Sequence, residues 1–498
     1  MTFSVALSGP THQALRDHLD RADGQEDICF ALWRPSQGRD RLTAIVSEPV
    51  LPGEGDRNVH RNASFEAPYL IRAAEAAAAA GAGLVLLHSH PSGSGWQGMS
   101  NDDVNAERGN AARVKAITGK PLLGMTIGTG DGGWSARFWE KTAPRTFERR
   151  DCESVRVVGS KLQLNFNPVL RPEPPLREEL RRTISAWGQE AQADFARLRI
   201  GVVGLGSVGS IVAEALARMG VEHVRLLDFD GVETLNLDRV LNTQRRHAQA
   251  GTAKVIAAAE PLTESATAAH FRVDPLELSI VEPEGFRAAI DCDVLFSCVD
   301  RPWPRYALNV AAYAHLVPVI DGGIVVSKTR TGKMRGADWR AHVAAPGRRC
   351  LECLGQYKPG AVQLEREGRL DDPSYIRQLA DNDPVKRNEN VFAFSVGCAS
   401  LELSQLISLV IAPGGIADVG PQLYHLSTGS LDRDGASCES DCLYAGPLLG
   451  SGDQAIDPTG VHDVAEQARK RRGSAGPALQ PTAAGKWQQF WSRLRRRA

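Results

Sequence analysis

Three groups of residues in this 498-residue chain have types and spacings that could do chemistry. The first is Gly204-Leu205-Gly206-Ser207-Val208-Gly209, which follows the apolar run Ile200–Val203 and precedes a segment with Ile211, Ala215, Leu216 and Met219 on one helical face. Glycines at that spacing let the backbone turn tightly and approach a phosphate, which a helix N-terminus favours electrostatically. A second apolar run, Val224–Leu227, ends at Asp228, placed to bind a ribose hydroxyl. Asp230, Asn236, Arg239 and Lys254 follow, and Asp300 stands at the tip of the run Val294–Val299 with Arg305 close behind. A lone G-x-G-x-x-G most often serves a dinucleotide, so a dehydrogenase is the reading to beat. Hydride transfer needs neither magnesium nor clustered phosphate-binding cations. Attack of a carboxylate on the α-phosphate of ATP needs both, with Asp300 the candidate magnesium residue.

The second group is His88, His90 and Asp103. The two histidines alternate at the end of a strand and so share a face, and Asp103 lies one turn into the next helix. Two imidazoles, a carboxylate and an open fourth position describe a catalytic zinc site, which holds a water acidified to a pKa of about 7. An isolated H-x-H would more often be a metal-free loop pair. Ser100, three residues before Asp103, and an upstream acid favour the metal. Glu26 is the best candidate general base, ahead of Glu48 and Glu54, and Ser100 could donate to a developing oxyanion. The third group is Cys350/Cys353 and Cys438/Cys442, whose spacings suit a closed four-thiolate zinc site; a redox pair is the competing reading for the first two.

The elements that must carry these groups are legible in outline. The chain is too long for one ordinary core. Its net charge of −1 does not point to nucleic acid. No stretch reads as a membrane span, residues 1–20 lack the apolar run of a secretory signal, and the expected location is cytoplasmic. Helices are expected over residues 10–22 and Tyr69–Ala80, with strands at Asp27–Trp33, Leu42–Val46, Leu84–Leu87, 121–128 and 134–140, and a helix capped by Ser100. This first domain ends near residue 165, and FNPVLRPEPP reads as a linker within 166–180. A helix over Leu176–Arg197 precedes the glycine loop. Strands at Val294–Cys298 and Val317–Ile320, each beside a helix, predict a mostly parallel, doubly wound sheet within 181–450. Residues 393–412 read as a long apolar helix. From Ser451 to 498 composition predicts disorder, with a short basic aromatic helix at Lys486–Ala498 that could engage a partner.

The pattern Glu26…His88-x-His90-Pro91…Ser100-x-x-Asp103 resembles the JAB/JAMM metalloproteases, over about residues 1–150. The resemblance implies zinc ligands His88, His90 and Asp103, base Glu26, oxyanion donor Ser100, and cleavage at the C-terminus of a ubiquitin-like protein. A longer Gly-rich loop, Ser92–Met99, departs from the family. The pattern Gly204, Gly206, Gly209, Asp228, Asp230, Asn236, Arg239, Lys254, Asp300 resembles the ThiF/MoeB family and the adenylation domain of ubiquitin-activating enzymes, from about Arg181 to 445. That resemblance implies a Rossmann-like fold with a structural zinc site and an ATP cleft. In it Asp228 binds ribose, Asn236, Arg239 and Lys254 bind phosphates, and Asp300 serves magnesium. It also implies a homodimer in which Arg182 enters the neighbouring protomer's site. Val240 stands where the family usually has glutamine.

Together these resemblances imply an enzyme that adenylates the C-terminus of a ubiquitin-like β-grasp protein and hydrolyses an amide there, as an isopeptidase or precursor protease. The alternative is activation of a sulfur-carrier protein for thiocarboxylate formation in cofactor or cysteine biosynthesis. Residues 354–397 contain no cysteine, and Cys398 falls in an apolar helix, so the expected reaction stops at the acyl-adenylate, with a cysteine of a partner such as a conjugating enzyme attacking it.

Overall fold

The computed structural model of the chain describes residues 1–498 apart from 61, 379–388 and 474–498. The first unit is built on β1 (Thr2–Ser8), β2 (Ile28–Gln37), β3 (Arg41–Val50), β4 (Arg57–His60), β5 (Asn62–Phe65), β6 (Gly83–His90), β7 (Leu122–Gly128), β8 (Trp134–Ala143), β9 (Thr146–Asp151), β10 (Ser154–Val158) and β11 (Leu162–Phe166). Nine of them form one sheet in the order β11-β10-β1-β3-β2-β6-β7-β8-β9, and β4–β5 is a separate hairpin. β6 sits between β2, antiparallel, and β7, parallel. Its run GLVLLHS is buried on both faces, as a central strand requires. Helices Ala67–Ala79 and Asn101–Thr118 cover one face, where Tyr69, Leu70, Ala73, Ala77 and Val114 meet Phe30 and Leu86. β1 was not legible beforehand: its run TFSVALS, buried from Ser4 on, passes straight into helix Gly9–Leu19, whose N-cap is Ser8.

The second unit carries β12 (Arg199–Val203), β13 (His223–Leu227), β14 (Arg272–Leu276), β15 (Val294–Ser297), β16 (Val319–Lys328), β17 (Met334–Ala344), β18 (Gln422–His425) and β19 (Ser430–Arg433), in the order β14-β13-β12-β15-β16-β17-β18-β19. The first five strands are parallel, as the alternation predicted. The last three are an antiparallel extension that the sequence reading did not contain. Order reverses at β12, so its C-terminal end is the switch point where ligands bind such sheets.

Three expectations need correction. The single helix over Leu176–Arg197 is a short turn, Glu178–Leu180, and two helices, Arg181–Trp187 and Gln189–Ala196. They part at Gly188, whose φ of 92° no helix accommodates. Helix Phe392–Ile411 does have the length and apolarity of a membrane span, by composition. It packs on β16, β17 and helix Ser207–Arg218 and buries Ser395, Glu402 and Gln405, which makes it a core helix here. The disorder expected from Ser451 is contradicted over 451–473, which include a turn at Gly452–Gln454 and helix Asp463–Arg472. Contacts with residues far away in sequence order this segment. The expected helix at Lys486–Ala498 lies outside the described residues.

Residues 172–177 carry no helix or strand, yet the two units are packed together rather than strung on a tether. One apolar cluster includes Ala6, Ile45 and Val158 of the first unit and Ile200, Val294 and Ile320 of the second. Beside it lies a buried ionic network. Asp293 takes Arg41 Nη1 at 2.7 Å, lies 3.5 Å from Arg156 Nη1 and accepts from Arg199 N at 2.9 Å. Arg156 Nε donates to Leu316 O at 3.1 Å and His315 Nδ1 meets Ser36 Oγ at 2.8 Å. Asp291 accepts from Asp40 N and Arg41 N; a Cβ at Gly38 would stand 1.9 Å from its Oδ1, so only glycine fits.

Candidate functional site

β12 delivers the glycine loop to the switch point. Gly204 has φ of 91°, and a Cβ there would lie 2.6 Å from Cys298 O; a Cβ on Gly209 would lie 1.9 Å from Gly204 O. These two glycines are demanded by the fold itself. Gly206 is different: a Cβ there meets nothing within 4 Å, so it faces open space at the N-terminus of helix Ser207–Arg218, where a phosphate could approach.

β13 delivers Asp228, which is buried and accepts from Leu205 N and Asp230 N, each at 2.7 Å. The acid is thus hydrogen-bonded to the glycine loop. Burial raises its carboxyl above the usual range, against the pull of Lys254. Lys254 Nζ lies 2.9 Å from Asp230 Oδ2. Burial alone would lower its ammonium; Asp228, Asp230 and Asp300 outweigh that and raise it. Asp228, Asp230, Lys254 and Asp300 therefore form one electrostatic cluster around the tips of β12, β13 and β15, with a half-buried cation held among the acids.

Asn236 and Arg239 are engaged within their own turn. Asn236 Oδ1 accepts from Glu233 N at 2.9 Å, and Arg239 Nη1 donates to Leu235 O at 2.6 Å and Asp238 Oδ1 at 2.8 Å. That turn is tied to the cleft helix through Leu241 N and Ser210 Oγ at 3.0 Å. Val240 is buried, so it fills core where a glutamine would present an amide. Arg182 is exposed on helix Arg181–Trp187, and among the described residues no hydrogen bond or ion pair joins it to the cluster. Arg305 is held by buried Asp321 at 3.2 Å, which Arg340 also grips at 2.6 Å. The sequence reading missed Asn390, whose amide donates to Ser207 Oγ at 2.7 Å at the start of the cleft helix. Only its place just before the apolar helix could have hinted at it.

The histidines and Asp103 converge as their spacing required. His88 Nε2 and His90 Nε2 are 3.2 Å apart and lie 3.6 and 3.8 Å from the Asp103 carboxylate. One atom from each of the three lies within 4.8 Å of the others, a donor set that fits a zinc ion. Burial holds His88 down at about 3, in the neutral form a metal needs. Ser100 and Asp103 form a capping box: Ser100 Oγ accepts from Asp103 N at 3.1 Å and Asp103 Oδ2 accepts from Ser100 N at 2.8 Å. Ser100 therefore orients the carboxylate through both its backbone and its side chain. Behind His88, Thr126 Oγ1 is 3.4 Å from its Nε2 and accepts from Arg137 Nη1 at 2.7 Å; Glu107 in turn pairs with Arg137.

Glu26 precedes β2 by two residues, and Ile28 pairs with His88, so the acid sits beside His90. Burial raises its carboxyl, an effect His90 opposes and Asp103 reinforces. Of its rivals, Glu48 is exposed and paired to Arg34 at 2.8 Å, and Glu54 lies in an exposed turn.

Cys350, Cys353, Cys438 and Cys442 also converge, with their sulfurs within 4.8 Å of one another, a set that fits a structural zinc. Cys350 N lies 3.1 Å from Cys438 Sγ and Cys353 N 3.3 Å from Cys350 Sγ, amide contacts that would support thiolates. Cys398 is fully buried with its Sγ 3.5 Å from Arg340 O, and burial raises its thiol.

Comparison with known proteins bears on the second unit. A family model described as the ThiF family matches residues 180–408. The chain is similar to a ubiquitin-like modifier-activating enzyme 5 of Drosophila willistoni, 33% identical over 144 residues, covering 26% of this chain and 35% of that protein. It is also similar to the molybdopterin-synthase adenylyltransferase of Escherichia coli K12, 32% identical over 149 residues, covering 30% of this chain and 57% of that protein. The chain thus spans between about a third and somewhat over half the length of these curated relatives. Among solved structures, E. coli MccB with succinimide is 16% identical at a TM-score of 0.42, covering 54% of this chain and 75% of that one.

Proposed function

We propose that the chain uses ATP to adenylate the C-terminal carboxylate of a ubiquitin-like or sulfur-carrier β-grasp protein, through residues 180–408, which the ThiF family model matches. The observation that carries this reading is the half-buried Lys254, paired with Asp230 at 2.9 Å and acted on by Asp228 and Asp300, in the same switch-point region as the glycine loop with its open Gly206. A dinucleotide needs the glycines and Asp228. It has no use for a half-buried cation held by a second acid, Asp230, just past the ribose position. Lys254 would draw charge from the triphosphate as the incoming carboxylate oxygen bonds to the α-phosphorus and pyrophosphate leaves. Asp300 would take the accompanying magnesium. Arg239 can join by exchanging its exposed partner Asp238 for a phosphate. Arg182, exposed on its helix, is free to reach a second copy of the chain in a homodimer. ATP–pyrophosphate exchange tests this reading. Exchange should depend on the carboxylate protein and fall on Lys254→Ala; a chain that binds a nicotinamide dinucleotide and ignores ATP with magnesium would refute it.

Cys398 is buried under Arg340, and residues 354–397 have no cysteine. We therefore place the end of this chain's own reaction at the acyl-adenylate, with a conjugating enzyme's cysteine as the acceptor. An adduct on this chain lost on Cys398→Ala would contradict that. The similarity to a molybdopterin-synthase adenylyltransferase favours, as a second reading, a sulfur donor as acceptor.

For the first unit we propose a JAB/JAMM-type zinc peptidase acting at the same protein terminus. When bound by His88, His90 and Asp103, zinc would polarise the scissile carbonyl and acidify water. Glu26, with its carboxyl raised by burial, would accept the water's proton and pass it to the leaving amine, while the Ser100 hydroxyl would donate to the oxyanion. Glu26→Gln should cut cleavage by about 10²–10⁴-fold with zinc content unchanged. Retained cleavage would move the base elsewhere.

A further inference from the structure

The segment that composition assigns to disorder grips both shoulders of the nucleotide cleft. On one side Pro458 O accepts from Trp303 Nε1 and from Arg366 Nη2, each at 2.8 Å; Trp303 lies three residues past Asp300. In the middle Gly460 N donates to Val281 O at 2.8 Å. The His462 ring stands between Phe229 and Trp303, with centroids 5.0 and 5.8 Å away, and its Nδ1 meets Ser279 Oγ at 2.9 Å. On the other side helix Asp463–Arg472 buries Arg469 against both oxygens of Glu282. The helix ends with Arg472 donating to the carbonyl of Phe229 and to Glu277.

Phe229 is the residue between Asp228 and Asp230. Those two acids and the glycine loop are one hydrogen-bonded unit through Asp228, so whatever holds the Phe229 carbonyl holds the loop that faces the nucleotide. A Cβ on Gly231 would stand 3.4 Å from Arg472 Nη1, so the guanidinium lies directly against this turn.

We propose that residues 457–472 brace the nucleotide cleft, and that Arg472 is a positioning residue for nucleotide binding: its bond to the Phe229 carbonyl sets the Asp228–Asp230 turn. The inference rests on the adenylation reading for the ligand and on geometry alone for the brace. The exposed neighbour Lys470, whose ion pair among the described residues is with Glu466 one turn back, supplies the control.

The test uses the full chain and two readouts. Hydrogen exchange without nucleotide reports the brace: Arg472→Ala should speed exchange at residues 228–231, and Lys470→Ala should not. Titration with ATP and magnesium reports the site: Arg472→Ala should weaken binding about tenfold, the loss expected of one charge-assisted hydrogen bond, and raise the KM for ATP while leaving that for the carboxylate protein unchanged. Arg472→Lys should recover part of the affinity. If Arg472→Ala does not fold, Arg472→Met, which keeps the apolar stem, is read instead. Unchanged exchange at 228–231, or unchanged ATP affinity beside normal wild-type binding, overturns the proposal. Faster exchange in a chain whose wild type binds no ATP leaves the brace standing and removes the adenylation reading.

Discussion

A methyl group on Gly206 separates what the glycine loop does for the fold from what it does for a ligand. The Cβ of Gly206→Ala meets nothing within 4 Å, and the residue's φ of −78° is open to alanine. As the N-cap of helix Ser207–Arg218, alanine is the poorer choice by about 0.5–1 kcal/mol. A stiffer unfolded chain returns about 0.4–1 kcal/mol. The nucleotide-free protein should therefore unfold within about 1 kcal/mol of wild type. Gly209→Ala is the contrast: its Cβ would sit 1.9 Å from Gly204 O and 3.2 Å from Cys298 Cβ, an overpacking that costs about 1–3 kcal/mol or more before any ligand is added. With ATP and magnesium at about 100 times Kd, wild type should gain about 2.7 kcal/mol. A Gly206→Ala protein with about hundredfold weaker binding should gain only about 0.4 kcal/mol. At about 2–4 °C per kcal/mol, a melting shift of about 5–10 °C would shrink to about 1 °C. A Gly206→Ala chain whose melting temperature rises with ATP as far as wild type's would refute the claim that a phosphate sits against this glycine.

Asp293→Ala should destabilise the chain by about 3–5 kcal/mol in a denaturant titration, because it strands Arg41 and Arg156 in the buried interface without their shared carboxylate. Metal analysis of purified protein should find zinc at both clusters; His88→Ala should remove one equivalent, and Cys353→Ser should weaken the other and lower the melting temperature. His315 gives an acid-dependent term: burial holds it at about 3, against a normal 6.5, so the unfolded chain binds the extra proton between those values. Its contribution is then full above pH 6.5 and is lost as pH falls toward 3, and His315→Gln should show a shallower loss of stability than wild type across that window.

What could be read from the sequence was whatever is written in short spacings. Gly204 to Gly209, His88 with His90, Ser100 with Asp103, and Cys350 with Cys353 each lie within one turn or one strand end, so local geometry alone brings their side chains together. Strand existence was legible where apolar residues run together before a turn, as in β6 and β12. It failed at β1, where Ser4 interrupts the apolar residues and the strand passes directly into a helix, and at β17 to β19, whose pairing depends on a sheet edge assembled elsewhere in the chain. The inter-unit network was invisible for the same reason: Arg41 lies 250 and 252 residues from Asp291 and Asp293, and only the fold places them opposite one another.

Residues 451–473 are the instructive failure. A charge run with glycine, serine and proline lacks the apolar surface to order itself, and composition judges only that internal supply. Here the order comes from outside the segment: Glu282 for Arg469, Trp303 for Pro458, and the Phe229 carbonyl for Arg472. All three partners lie near the C-terminal ends of parallel strands, the end of the sheet where the ligand must also bind. A tail that satisfies those groups stabilises itself and the nucleotide loop by the same bonds. Its order and the site's geometry should therefore rise and fall together, so that mutations loosening residues 457–472 reach Asp228 and Asp230 without touching either.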